Sequence, residues 1–225
     1  MVKQERAAHT RRALVRAAGE EFAHGGYKPV SLSRISKRAG VSYGGLHYHF
    51  AGKEDLARAV VAEAAAILRD EVCAATGSAP GDGGRGALAR LVESTYRLVD
   101  RIDRDAVVRA GFTLTLAASS PDLGEDLCER WRCWVEEILA EAARAQELGA
   151  GIRGADVATA VVATTVGFEA LSVRDPAWLK PDAVARFWRL ILPGITSPET
   201  AAALHADRRP PRHRGTAVQR LTPSR

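Results

Sequence analysis

The sequence predicts an all-α protein, with a small N-terminal unit of three helices followed by a larger helical domain. Three observations carry this. Apolar residues recur at helical spacing along most of the chain, and no stretch shows the clean alternation of a half-buried strand. Glycine and proline cut the pattern into helix-sized pieces. Charge divides the chain as well: residues 1–60 hold 11 Lys+Arg against 5 Asp+Glu, residues 61–206 hold 15 against 21, and residues 207–225 hold 6 against 1. A basic unit joined to a larger acidic one points to a polyanion bound at one end, the plainer alternative being a solvated basic face.

The first helix is expected from about Arg6 to His24, with Leu14, Ala18 and Phe22 on one stripe and Arg11, Arg12 and Arg16 off it. Gly25-Gly26 stops it. Ser31 or Ser33 can cap a second helix that ends near Ala39, where Gly40 breaks the pattern. Ser42 caps a short third helix reaching His49. Ala51-Gly52 leads into a fourth, about Lys53 to Thr76, with Glu54 and Asp55 favourably placed in its first turn. Residues 77–84 read as a flexible loop. Further helices are expected at about 86–102, 104–118, 123–148, 154–174 and 181–192, punctuated by Pro121, Gly149-Ala150-Gly151, Pro176 and Pro181. The pattern fades from Pro193. This divides the chain into a small basic helical unit over 1–52, a helical domain over 53–196 and a basic tail over 197–225. Pro210-Pro211, six arginines and few large apolar groups lead to the expectation of a disordered end over 207–225.

Composition narrows the class further. Hydrophobic residues make up 46% of the 225, enough for a sizeable core. No run of 18 apolar residues suggests a membrane span, and the charged opening Met1-Val2-Lys3-Gln4-Glu5-Arg6 is not a signal peptide, so a cytoplasmic protein is expected. Cys73, Cys128 and Cys133 are odd in number and lack C-x-x-C spacing, which suits reduced structural thiols.

Residues 31–42 have the logic of a helix-turn-helix. Leu32 and Ile35 point inward, Ala39 allows a close crossing, Gly40 permits the turn, and Val41 fills the space between the two helices. Such a pair presents the N-terminal residues of its second helix to the major groove, with hydroxyls, cations and free N–H groups around it for phosphates. His47 and His49 also invite a metal reading. They lie two apart on a helix and face different ways, and no cysteine or carboxylate completes a site, so no metal is expected.

The run from Val41 to Leu56 (VSYGGLHYHFAGKEDL), together with Lys3-Gln4-Glu5-Arg6-Ala7-Ala8-His9-Thr10-Arg11, resembles the TetR family of repressors. Within that family the opening is closest to the gamma-butyrolactone autoregulator receptors of antibiotic-producing actinobacteria. The excess of 27 arginines over 5 lysines suits a GC-rich genome. The resemblance is strong over 3–60 and continues to about 196. It implies that Ser42, Tyr43 and Gly44 face base edges, and that His47, Tyr48 and Lys53 contact phosphates or sugars, with Ser31 and Ser33 beside them. Many relatives have lysine where this chain has Tyr43. Tyrosine offers one hydroxyl and a flat ring suited to a thymine methyl or a phosphate, so the operator is expected to differ.

In the second domain Leu127, Trp131, Trp134, Val135, Ile138, Leu139 and Ala142 form an apolar helix face. Trp131 matches the pocket tryptophan of the receptors; Val135, Thr165, Val166 and Ala64 complete the implied pocket. Receptors commonly have glutamine near the position of Ala64 and threonine near that of Val166. The apolar residues here remove hydrogen-bond partners for a lactone, at about 1–3 kcal/mol each. That favours a pseudo-receptor answering an antibiotic or another apolar effector, with a true butyrolactone receptor as the alternative. Val157, Val161, Phe168 and Leu171, then Val184, Phe187, Trp188 and Ile191, are expected to pair two copies across a two-fold axis, which suits a palindromic double-stranded operator. No G-x-S-x-G, P-loop, H-E-x-x-H or dinucleotide fingerprint is present, so neither an enzyme nor a bound cofactor is expected. The expected function is a ligand-responsive repressor of secondary-metabolite genes and of its own or neighbouring promoters, rather than an enzyme using the helical cavity or a nucleoid-type architectural binder.

Overall fold

A computed structural model describes residues 2–76, 86–116 and 123–206. Among these residues there are ten α-helices and no strand: α1 (Val2–Gly25), α2 (Leu32–Ala39), α3 (Tyr43–His49), α4 (Lys53–Thr76), α5 (Ala87–Arg104), α6 (Ala106–Leu116), α7 (Leu127–Arg144), α8 (Gly154–Ser172), α9 (Pro181–Ile195) and α10 (Pro198–Ala206). A 3-10 turn, Pro176–Leu179, joins α8 to α9.

The N-terminal unit follows the expected grammar. Ser31 Oγ accepts from the N–H of Arg34 at 3.3 Å, so Ser31 is the α2 cap and Ser33 lies inside the helix. Gly40 adopts φ 65°, and the N–H groups of Gly40 and Val41 return to the carbonyls of Lys37 and Ser36, closing the end of α2 before the turn. Phe22, Ile35, Leu46, Phe50 and Leu56 are buried together, while Leu32, Ala39 and Val41 pack half-buried against them. Glu21, on the apolar face of α1 and only 4% exposed, pairs with Arg34 at 2.7 Å and Arg38 at 2.5 Å. A buried carboxylate needs such partners, and here they bind α2 to α1.

Several boundaries differ from the sequence reading. The helix expected over 123–148 is confined to Leu127–Arg144. Asp126 caps it by accepting from Cys128 and Glu129, and Gln146 takes φ 57° just beyond its end. That exit places Glu147 against α5, where its carboxylate accepts from the N–H groups of Ala87 and Leu88, each at 2.8 Å. α9 runs past Leu192 to Ile195 because Pro193 stands in its last turn, exposed, where one missing hydrogen bond matters little. The expected tail over 197–225 begins as a helix. Ser197 accepts from the Thr200 N–H, Pro198 opens α10, and Ala201 is buried. The loop at 77–84, Pro121 and the tail end at 207–225 lie outside the described residues.

α6 joins the two parts, packing against α1 on one side and α4 on the other. Gly19 of α1 lets the helices approach so closely that a Cβ there would sit 2.9 Å from Val107 Cγ2. α8 is long and apolar enough to resemble a spanning helix. Its Val157, Val161 and Phe168 are buried in the bundle, however, and it carries the buried carboxylate of Glu169. Val184 and Trp188 are core residues of α9 as well. The expected pairing set therefore splits. Those five face the interior, whereas Leu171 is exposed and Phe187 and Ile191 are half-buried; Leu190, outside the expected set, is 78% exposed.

Candidate nucleic-acid interface and effector cavity

α3 stands on the surface with its first residues outward. Ser42 Oγ accepts from the Gly45 N–H at 3.1 Å, fixing the start of the helix. Capping uses only a lone pair at Ser31 and Ser42, so each hydroxyl keeps a proton to donate outward. Ser33 is exposed beside them. Tyr43 and Tyr48 are 54% and 79% exposed, unusual values for aromatic rings within a folded unit. The Tyr43 and His47 rings meet edge to face at 4.6 Å, and Tyr48 meets His49 similarly at 5.1 Å. The two histidines thus diverge, as their spacing requires. A Cβ on Gly44 would meet no protein atom within 4 Å, so internal packing does not require glycine there. Gly45 is different: a Cβ there would press on Val41 Cγ1 at 3.0 Å.

Lys53 departs from its expected place. Its ammonium turns inward and donates to the carbonyls of Tyr27 at 3.0 Å, Lys28 at 3.1 Å and Val30 at 3.0 Å, 4.4 Å from the Tyr27 ring centroid. An ammonium has three protons, so all are engaged. The exposed groups are Ser31, Ser33, Ser42, Tyr43, Gly44, His47 and Tyr48. The sequence reading missed Arg34 and Arg38, although an acid on the buried stripe of α1, Glu21, signalled that cations must meet it.

The second domain holds a cavity of about 130 Å³ between α4 and α7, lined by Ala65, Leu68, Arg69, Arg130, Trp131 and Trp134. The two indoles stack with centroids 5.1 Å apart and planes 17° apart. Trp131 is 1% exposed, and its Nε1–H donates to Thr165 Oγ1 at 2.9 Å. Of the five residues expected to form a pocket, Trp131 alone lines this one. Thr165 sits behind it as hydrogen-bond acceptor and Val135 is fully buried. Ala64 presses on α6, where a Cβ on Gly111 would lie 2.6 Å from its own. Val166 is half-buried on α8 and not part of the lining. Trp134 and the two arginines at the cavity were missed because their convergence depends on how α4 crosses α7. A second cleft, about 470 Å³, lies where α1 meets α4 and the α5–α6 corner, with Arg12, Glu63 and Val107 among its walls. Burial, then the Asp126 charge, pushes the Cys128 thiol up to about 12, so it stays protonated and unreactive.

This arrangement of a capped, outward-facing helix pair on a helical bundle agrees with what comparison with known proteins finds. Residues 14–60 match the bacterial regulatory proteins, tetR family. The A-factor receptor protein of Streptomyces griseus is 30% identical over 214 residues, covering 93% of this chain and 72% of that protein. The crystal structure of a gamma-butyrolactone receptor (ArpA-like protein) superposes with TM-score 0.77 at 27% identity, covering 89% of this chain and 95% of the other. CprB from Streptomyces coelicolor in complex with its operator sequence superposes with TM-score 0.71 at 27% identity, covering 89% and 95%. The chain belongs to the TetR family of DNA-binding regulators, among relatives of the butyrolactone receptors.

Proposed function

We propose that the protein is a homodimeric, ligand-responsive repressor that binds a palindromic operator in double-stranded DNA and is released by a small effector. The observation that carries this is the outward face of α3, with Tyr43, Gly44, His47 and Tyr48 exposed on a unit whose net charge is basic. The relative solved in complex with its operator supports the same reading. The exposed Leu190, with half-buried Phe187 and Ile191, gives α9 an apolar face for a second copy. The site of action is the cytoplasm, where the chromosome lies, and the targets are secondary-metabolite genes and its own or neighbouring promoters.

The effector occupies the Trp131–Trp134 cavity. Stacked indoles offer a flat apolar wall, and Arg69 and Arg130 offer donors to an effector's oxygens. α4 leads from this cavity to the helix-turn-helix, so spreading α4 from α7 moves the paired reading helices off successive grooves. Swinging the equilibrium from almost all bound to almost all free needs about 5.5 kcal/mol of differential affinity. The Trp131 N–H is already engaged by Thr165, and Ala64 is closed against α6, so neither position offers a lactone a hydrogen bond, which supports an apolar effector such as the host's antibiotic or its precursor; one of that size needs α4 and α7 to part beyond the 130 Å³ between them. The second reading, a true butyrolactone receptor, is favoured by the named activity of the relatives. An enzyme using the cavity is not favoured, because its walls are indoles, aliphatic groups and arginines, with no nucleophile and base in contact.

The test is selection of duplexes from a random library, then gel-shift titration with butyrolactones and with polycyclic antibiotics on wild type and Trp131→Ala. Selection of a palindrome and its release by the antibiotic class only, lost in Trp131→Ala, is the expected result. Release by sub-micromolar butyrolactone would replace the pseudo-receptor reading with the receptor one. Failure to enrich any sequence would overturn operator binding itself.

A further inference from the structure

We propose that Lys53 is a positioning residue, a latch that ties the loop before α2 to the first turn of α4 and so sets the orientation of the DNA-reading pair. The proposal rests on reading α2–α3 as the DNA-binding element. Three carbonyls, Tyr27, Lys28 and Val30, converge on one ammonium at 3.0–3.1 Å, with the Tyr27 ring 4.4 Å away. Hydrogen bonds from a charged donor are stronger than neutral ones, and a compact ammonium with three rotatable protons suits three acceptors around one point. Each acceptor belongs to the segment leading into Ser31, whose side chain and backbone start α2. Val30 is itself buried, so the segment is held from both ends.

A connection thus runs from α4 to α2 without passing through α3. Lys53 is the first residue of α4, and α4 also lines the effector cavity at Ala65, Leu68 and Arg69. Movement of α4 therefore pulls the 27–30 loop directly and takes the start of α2 with it. A lysine contacting phosphate would instead need its ammonium outward, with its protons free.

Two readings separate these roles, and the first needs no DNA. Hydrogen exchange on the full chain compares wild type, Lys53→Met and Lys53→Arg. Lys53→Met keeps the apolar stem and removes the donors. The Arg34 and Ile35 amides, which depend on Ser31, are expected to exchange about tenfold faster or more in Lys53→Met, with α5–α9 unchanged. Arginine keeps the charge, but its planar fork cannot direct three protons to one convergent set of carbonyls, so Lys53→Arg is expected not to restore protection. The second reading is binding to a random-sequence duplex over a salt series. The slope is expected to stay within about half a counterion of wild type, whereas loss of a phosphate contact lowers it by about one. Unchanged exchange in α2, or a slope lower by one and restored by arginine, would overturn the latch. Faster exchange throughout the chain would reduce Lys53 to general stability and overturn it too. If wild type binds no duplex at all, DNA binding fails as a reading, while the exchange result still decides the latch.

Discussion

Replacing Thr165 by valine should destabilise the protein through a residue 34 positions away. Thr165 Oγ1 is the acceptor for the Trp131 Nε1–H at 2.9 Å, and the two residues are 2% and 1% exposed. Valine keeps the shape of threonine, so the packing survives and the change is chemical: a buried N–H loses its acceptor. Leaving such a donor unsatisfied costs about 1–3 kcal/mol. For a chain of this size 1 kcal/mol shifts Tm by about 2–4 °C, so a fall of roughly 3–10 °C is expected. The measurement is calorimetry at fixed protein concentration, because a dimer's Tm depends on it. A double-mutant cycle isolates the pair. Trp131→Phe removes the donor and some ring area, and in that background Thr165→Val should cost well under 1 kcal/mol. Equal cost of Thr165→Val in both backgrounds would refute the reasoning, since the loss would then not come from the orphaned indole.

Three further outcomes are expected. Gly44→Ala should leave Tm unchanged or raise it, since alanine favours a helix by about 1 kcal/mol and its Cβ meets no protein atom, yet it should weaken binding to the selected operator about tenfold; equal affinity in gel shifts would show that α3 does not approach DNA at this point. Gly111→Ala should behave oppositely. Its Cβ would lie 2.6 Å from that of Ala64, which cannot rotate away, so α4 and α6 must separate at a cost of about 1–3 kcal/mol, read as a lower urea midpoint; an unchanged midpoint would show that α6 gives way freely. Glu169 is 4% exposed, and burial raises its carboxyl above the ordinary range against the opposing Thr113 hydrogen bond and Arg109 charge. A raised folded-state value gives stability that is complete below the unfolded value, about 4.3, and is lost as pH rises through the folded one. Glu169→Gln, which keeps an acceptor for Thr113, should therefore melt higher than wild type at pH 7 and converge with it near pH 4; a gap that is constant with pH would mean that the carboxyl does not titrate in this range.

The helix-turn-helix was legible because its caps, its turn and its apolar period are local. Ser31 and Ser42 cap within three residues, Gly40 takes its positive φ by itself, and Leu46 and Phe50 follow the helical period. The same holds for α4, whose expected ends, Lys53 and Thr76, are those observed. Tyr43 and Tyr48 were expected at DNA only through the family resemblance, and both are exposed. α10 carried a start signal, Ser197-Pro198-Glu199, that went unread because the basic residues after it suggested a tail.

The sequence by itself determined the all-helical class, the reading helix and the separation of a basic unit from an acidic domain, since these depend on near neighbours and on charge counted along the chain. Tertiary structure alone decided which partner each polar group takes. Lys53 meets carbonyls 23 to 26 residues back, Trp131 meets Thr165, and Glu147 caps a helix that begins 60 residues before it. It also decided that Trp134 and Arg69 meet at a cavity while Ala64 does not. A side chain's type limits what it can bond, but the crossing of helices sets what lies within about 3 Å of it, and burial then makes that partner obligatory.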